Sequence, residues 1–254
     1  MADSRITYGL VGYPLGHSFS RIYFNKKFND LGIDAEYLNF ELKDISRLPC
    51  ITGDYTNIRG LNVTIPHKET VITYLDEVDP TAAEIKAVNV IAIRRDSSGH
   101  STLKGYNTDI IGFRDSLAPL LKPQHSHALV LGTGGASKAV VKGLELLGII
   151  PTTVSRNPGS GHITYSDLTK EVMESHLLIV NTTPLGMHPH TETAPPIPYQ
   201  MIGPNNLCYD VVYNPEETLF MSLCADRGAM TKNGLEMLHR QAEAAWEIWN
   251  KDTI

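Results

Sequence analysis

The stretch Asn62-Val63-Thr64-Ile65-Pro66-His67-Lys68 holds more polar chemistry than a strand end requires. Leu61, Val63 and Ile65 alternate into a core, which puts Asn62 and Thr64 on the opposite face of a strand. Pro66 ends that strand, and Lys68 stands at the head of a helix expected over residues 69–78. A cation at a helix N-terminus has the wrong sign for stability, and the same field favours release of its proton, as acid/base work requires. An isolated lysine is ordinarily a solvated one, so the case rests on its company. Gly105-Tyr106-Asn107-Thr108-Asp109 precedes another helix, where Asp109 fits either a helix cap or a ligand group. Polar residues recur after several strands: Ser18 and Ser20, Asn62 and Thr64, Asn89, then Asn107 and Asp109. Ligands of open α/β sheets bind beyond the carboxyl ends of strands. Hydroxyls, amides, one lysine and one aspartate gathered there suit a small substrate with a carboxylate and several hydroxyls.

A second chemistry lies further on. Leu129-Val130-Leu131-Gly132-Thr133-Gly134-Gly135-Ala136-Ser137-Lys138-Ala139 reads as strand, glycine turn, helix. Such a turn lets backbone N–H groups approach a pyrophosphate at the positive end of a helix. The third glycine of the usual G-x-G-x-x-G pattern is Ser137, still small enough for close helix–strand packing. A fold that takes NAD places an acid about 20 residues on, for the ribose 2′-hydroxyl. Here the second strand runs into Ser155-Arg156-Asn157 with no acid at its tip. A guanidinium clamps a phosphate bidentately, so the expected cofactor is NADP.

The elements that would carry these groups alternate between strand and helix. Strands are expected over residues 5–11, 37–42, 61–65, 89–94, 128–131, 152–154, 177–180 and 207–212. Helices are expected over 20–31, 69–78, 110–121, 136–147, 167–174 and 234–249, with a turn at 96–99. Alternation implies a parallel sheet covered on both faces. The fold class is α/β in two lobes: an N-terminal α/β substrate lobe and a dinucleotide-binding lobe, with a cleft between them.

The 254 residues suit two modest domains, and 42% hydrophobic with 20% charged residues describes an ordinary globular core. Net charge is −6 with the basic residues scattered, which argues against nucleic acid or an anionic membrane as partner. No secretory h-region or bilayer-length apolar run is present, and the three cysteines are far apart, so a cytoplasmic protein is expected. The pairs His125-x-His127 and His188-x-His190 lack clustered carboxylates or cysteines and read as solvated loop histidines, with no metal expected.

The chain resembles the shikimate dehydrogenase family over nearly its whole length. The blocks that carry the resemblance are Gly12-Tyr13-Pro14-Leu15-Gly16-His17-Ser18-Phe19-Ser20, the Asn62–Lys68 stretch, Ala87-Val88-Asn89, Gly105–Asp109, Gly132–Ala136, Asn181-Thr182-Thr183-Pro184-Leu185-Gly186-Met187, Asp210-Val211-Val212-Tyr213-Asn214-Pro215, and Gly234-Leu235-Glu236-Met237-Leu238 with Gln241. Each is weak alone; their order is specific. The resemblance implies NADPH-dependent reduction of 3-dehydroshikimate to shikimate, in chorismate and aromatic amino acid biosynthesis, by a CH–OH oxidoreductase. It implies that Ser18 and Ser20 hold the substrate carboxylate, and that Thr64, Asn89, Asp109, Tyr213 and Gln241 line the ring hydroxyls with Asn62 close by. Lys68 and Asp109 would form the proton-transfer pair. Gly132, Thr133, Gly134, Gly135, Ala136, Ser155, Arg156, Asn157, Val211 and Gly234 would contact NADP.

The same resemblance makes residues 1–104, completed by helix 235–254, the substrate domain, and 105–234 a Rossmann-like NADP domain. Partners are then small molecules only, with the chain a monomer or homodimer. Arg21 stands where the family often has Pro, Lys86 where it commonly has Gly, Val90 where it has Thr, and Asn157 where a Thr usually follows the arginine. Two rivals stand beside this reading: a quinate/shikimate dehydrogenase of broader specificity, and a non-catalytic paralogue that senses NADPH or a metabolite.

Overall fold

Residues 5–16, 18–157, 159 and 161–251 are described by the structure, a computed structural model. The chain divides into two units, Met1–Thr108 with Ala242–Ile254, and Asp109–Gln241.

The first unit runs β1 (Ile6–Gly12), α1 (Phe19–Leu31), β2 (Ala35–Glu41), α2 (Leu48–Asp54), β3 (Ile58–Val63), β4 (Glu77–Val78), α3 (Pro80–Ile85), β5 (Val90–Arg95) and β6 (Ser101–Tyr106). Its sheet has the order β2-β1-β3-β5-β6-β4. It is mixed rather than parallel as expected, because β5 lies antiparallel to both β3 and β6. The cause is local. Asp96 Oδ1 accepts from the backbone N–H groups of Ser98 and His100, closing a turn that folds β6 straight back on β5. One face of the sheet packs Val11, Leu61, Val63 and Ile91. The other packs Tyr8, Phe24, Phe28 and Tyr37 against Ala242, Ala245 and Trp249 of the C-terminal segment. Trp249 anchors there through its indole N–H to the Ile91 carbonyl at 3.1 Å.

The second unit runs α4 (Asp109–Leu117), β7 (His127–Leu131), α5 (Gly135–Leu146), β8 (Ile150–Ser155), β9 (His162–Thr164), α6 (Lys170–Ser175), β10 (Leu178–Asn181), β11 (Leu207–Asp210), α7 (Leu219–Ala225) and β12 (Met230–Lys232), then α8 (Leu235–Lys251), whose residues from Ala242 count with the first unit. This sheet is parallel throughout, in the order β12-β11-β10-β7-β8-β9. Its central strands are apolar runs buried on both faces, as a covered parallel sheet demands. From β7 the chain builds outward first through β8 and β9, then through β10 to β12, so the order reverses between β7 and β10.

Several expectations need correction. The helix expected over 69–78 is a 3-10 turn at Thr70–Tyr74 followed by β4. Four β-branched residues in a row (Thr70, Val71, Ile72, Thr73) and the Thr73 hydroxyl donating to the Thr70 carbonyl disfavour the α form. The helix expected over 110–121 ends at Leu117, two residues before Pro119, which cannot continue it. Ile65 lies beyond the end of β3 and is 63% exposed, so it is no core residue. His125 is no solvated histidine: Nδ1 accepts from the Lys122 N–H, and Nε2 meets the Asn205 carbonyl. Lys86 closes α3 in the left-handed region at φ +53°, which explains why glycine suits that position. The short α2, α3, α7, β6, β9 and β12 escaped the periodicity reading altogether.

Candidate functional site

In the first unit the polar residues converge where β1, β3 and β5 meet. Thr64 N–H donates to the Val11 carbonyl, Val63 N–H to the Asn89 carbonyl, and Val88 N–H to the Lys68 carbonyl at 2.8 Å. The loop after β3 is thus stitched to the segment before β5, which brings Asn62, Thr64, Lys68 and Asn89 together. Lys68 is half-buried. It stands in a loop anchored by His67, a buried residue whose Nε2–H donates to the Leu42 carbonyl at 2.6 Å. No α-helix follows, so the helix field expected at Lys68 is absent, and its setting comes from this loop instead.

Asn62 and Asn89 are both nearly inaccessible. Asn89 is locked by Thr108, accepting from its backbone N–H at 2.7 Å and donating to its hydroxyl at 3.0 Å. Asn62 Oδ1 accepts from the Tyr37 hydroxyl at 2.7 Å. Ser18 is the N-cap of α1, its Oγ accepting from Arg21 N–H at 3.2 Å, which leaves its own O–H to donate. Ser20 follows as the second residue of the helix and is half-buried.

In the second unit Asp109 opens α4 and is buried. One turn on, Gly112 presses against α8: a Cβ there would lie 2.6 Å from the Met237 carbonyl and 3.0 Å from Gln241 Cβ. This close approach carries Gln241, itself 8% exposed, to the helix that begins with Asp109.

The carboxyl ends of β7, β8 and β10 surround a cavity of about 490 Å³, lined by Gly132, Thr133, Gly134, Ser155, Arg156 and Asn157 among the expected residues. Gly132 turns at φ +112°, a conformation that disfavours any side chain, and a Cβ would also lie 2.8 Å from the Thr182 hydroxyl. Gly134 is the N-cap of α5 and offers no side-chain cap, while its own Cβ position faces open space. The N-terminal end of α5 therefore opens on the cavity through Gly134, the end of a helix that favours an anion. Ser137, where a third glycine is usual, is buried and ties its hydroxyl to the Gly132 carbonyl at 2.8 Å. Arg156 is exposed at the far rim, with Ser155 Oγ bracing Asn157 N–H. Helix N-terminus, glycine cradle and terminal cation fit a dinucleotide with an extra phosphate on its ribose.

Gly135 and Ala136 form the first turn of α5 but do not line this cavity. Val211 and Gly234 lie outside it too, and they abut each other: a Cβ on Gly234 would fall 2.1 Å from the Val211 carbonyl. Tyr213 follows β11 and is 38% exposed. The remaining wall is Val154, Tyr165, Thr182, Thr183, Pro184, Leu185 and Pro196. The sequence reading missed these, although the motif at 181–187 followed an expected strand. The missing step was strand order, which seats β10 beside β7.

A buried carboxylate braces that wall. Asp210 Oδ1 accepts from Asn181 Nδ2 and Val212 N–H at 3.0 Å, and Oδ2 from the Thr218 hydroxyl at 2.6 Å. Asn181 Oδ1 in turn holds the Thr183 hydroxyl at 2.7 Å. Burial pushes the Asp210 carboxyl up to about 6, against the pull of those three donors.

Residues 10–91 match the model of the shikimate dehydrogenase substrate binding domain. A shikimate dehydrogenase (NADP⁺) of Desulforamulus reducens is 35% identical, the alignment covering 95% of this chain and 88% of that one. The crystal structure of shikimate dehydrogenase from Aquifex aeolicus superposes with a TM-score of 0.85 at 32% identity, over 99% of this chain and 94% of that one. The Thermus thermophilus shikimate 5-dehydrogenase, in complex with NADP(H) and shikimate, gives 0.83 at 28% identity, over 97% and 94%.

Proposed function

The chain belongs to the shikimate dehydrogenase family, and we propose that it catalyses the reversible NADP-dependent interconversion of 3-dehydroshikimate and shikimate, a step of aromatic amino acid biosynthesis. The observation that carries this reading is the presence of two distinct residue sets in one chain. One gathers Asn62, Thr64, Lys68 and Asn89 on a stitched sheet end; the other gathers a glycine cradle and Arg156 around one cavity. We assign Ser18, Ser20, Asn62, Thr64, Asn89, Tyr213 and Gln241 to substrate, Lys68 and Asp109 to proton transfer, and the glycine turn with Arg156 to NADP.

NADP supplies the hydride chemistry when bound. The chain's own residues do the rest. Ser18 donates to the substrate carboxylate together with Ser20, and Asn62, Thr64, Asn89, Tyr213 and Gln241 sort the ring hydroxyls by donor and acceptor. Lys68, with Asp109, holds and moves the proton at the oxygen of the carbon that changes oxidation state. The backbone of Gly132 to Ala136 receives the pyrophosphate, Ser155, Arg156 and Asn157 the ribose phosphate, and Val211 with Gly234 complete the contacts to NADP.

An absorbance assay of NADP⁺ reduction tests this, with shikimate, quinate and NAD⁺ compared in parallel. Turnover with shikimate and NADP⁺ well above the other combinations is expected. Preference for quinate would transfer the assignment to the broader enzyme, and no turnover with either acid would overturn it.

A further inference from the structure

Tyr37 lies in the middle of β2 with no accessible surface, its ring stacked on Phe24 with centroids 4.9 Å apart. Packing alone would be met by phenylalanine. The hydroxyl is the part that needs a reason, because a buried phenol requires a partner. It finds Asn62 Oδ1, on β3, at 2.7 Å, across the intervening strand β1. Burial holds the phenol well above its ordinary range, so it stays protonated and serves as a hydrogen-bond donor.

That donation decides how the Asn62 amide is turned. With the carbonyl oxygen taken by Tyr37, the NH₂ group faces the other way. One of its hydrogens is directed at the Asn89 carbonyl across a long 3.4 Å, which leaves the second for a ligand. An amide that can flip presents a donor or an acceptor; one held by its oxygen presents a donor only.

We propose that Tyr37 is a positioning residue for substrate recognition, fixing the Asn62 amide so that it donates to a hydroxyl of the polyol acid. This rests on the assignment of Asn62 to substrate. The test is Tyr37→Phe, which keeps the stacked ring and removes the donor. KM for shikimate should rise about 5- to 20-fold, the scale of one hydrogen bond with its orientation lost. KM for NADP⁺ should stay within about 2-fold and kcat should fall less than KM rises, a split that a general loss of folding would not produce.

The companion variant is Asn62→Ala. If Tyr37 acts through Asn62, adding Tyr37→Phe to Asn62→Ala should change KM by less than about 2-fold. Independent, multiplying effects would overturn the inference, as would an unchanged KM in Tyr37→Phe where Asn62→Ala raises it. An unchanged KM in Asn62→Ala would instead remove Asn62 from the substrate site, and the inference with it. Should Tyr37→Phe fail to fold with the Asn62 carbonyl orphaned, the comparison moves into Asn62→Leu, which leaves no orphan acceptor. There the enzymes with Tyr37 and with Tyr37→Phe should share one KM, and a difference above about 3-fold refutes the positioning role.

Discussion

Asp210→Asn should stabilise the protein at neutral pH and do so progressively less as the pH falls. The folded carboxyl sits at about 6, against 3.8 in the ordinary state. Between those values the folded chain binds a proton that the unfolded chain has released, so this group's contribution to stability falls as pH rises through 6. Above pH 7 the cost is complete. A displacement of about two units corresponds to about 3 kcal/mol. Asparagine removes the buried charge yet keeps an oxygen for Asn181 Nδ2 and Val212 N–H, and presents its NH₂ to the Thr218 hydroxyl, which can accept. Reversing that one bond costs about 1 kcal/mol. A net gain of about 1–2 kcal/mol at pH 7.5 follows, about 2–8 °C in Tm for a chain of this size. At pH 5 the folded carboxyl is protonated but the unfolded one is still ionised, so about 1.6 kcal/mol of that cost remains. Set against the reversed bond, the gain shrinks to about 0.5 kcal/mol, to vanish only near the unfolded value of 3.8. Thermal unfolding of both proteins at pH 5.0 and 7.5 measures this. Asp44, Asp96 and Asp167 are held low by hydrogen bonds and titrate in the opposite sense, but they are common to both proteins and cancel in the difference. A variant destabilised equally at both pH values would refute the reasoning, since it would mean that the charge carries no cost.

Lys68→Ala should lower kcat at least about 100-fold, the scale of general acid–base catalysis, with NADP⁺ binding nearly unchanged by fluorescence titration; near-normal turnover would remove Lys68 from the chemistry. Arg156→Ala should weaken NADP⁺ binding by about 1.5–3 kcal/mol and leave NAD⁺ use as it is, whereas equal losses with both would make Arg156 structural. Replacing Ser18 and Ser20 together by Ala should raise KM for shikimate by about two orders of magnitude, at two charged hydrogen bonds lost. The Ser18 cap on Arg21 N–H adds about 1 kcal/mol of lost stability, so a lowered Tm with an unchanged KM would assign both serines to the fold.

The nucleotide cradle was legible because its parts are adjacent in sequence: a strand, a turn that tolerates only glycine at Gly132, and a helix start. Arg156 was legible for the same reason, as the tip of the next strand. Thr182, Thr183 and Leu185 were not, although their motif was in view. They reach the cavity only because β10 pairs with β7, about fifty residues earlier, and no local pattern encodes that neighbour. Tyr37 was hidden more thoroughly. An aromatic residue within an alternating strand reads as core, and it is core. What it does with its hydroxyl depends on β1 lying between β2 and β3, a fact of topology.

Lys68 illustrates a different failure. Its polar company marks Lys68 as a place to look, while the helix field expected there is absent because a β-branched run forms a 3-10 turn. The lysine is nevertheless held. Its carbonyl is taken by Val88, its neighbour His67 is fixed to Leu42, and the strand that precedes it is bonded to Asn89. A loop pinned at three points can present a side chain without a helix start behind it. On the proposed assignment of Lys68 to proton transfer, substitution at His67 probes the positioning of that lysine. His67→Ala should disturb turnover through the loop while leaving every proposed contact residue in place.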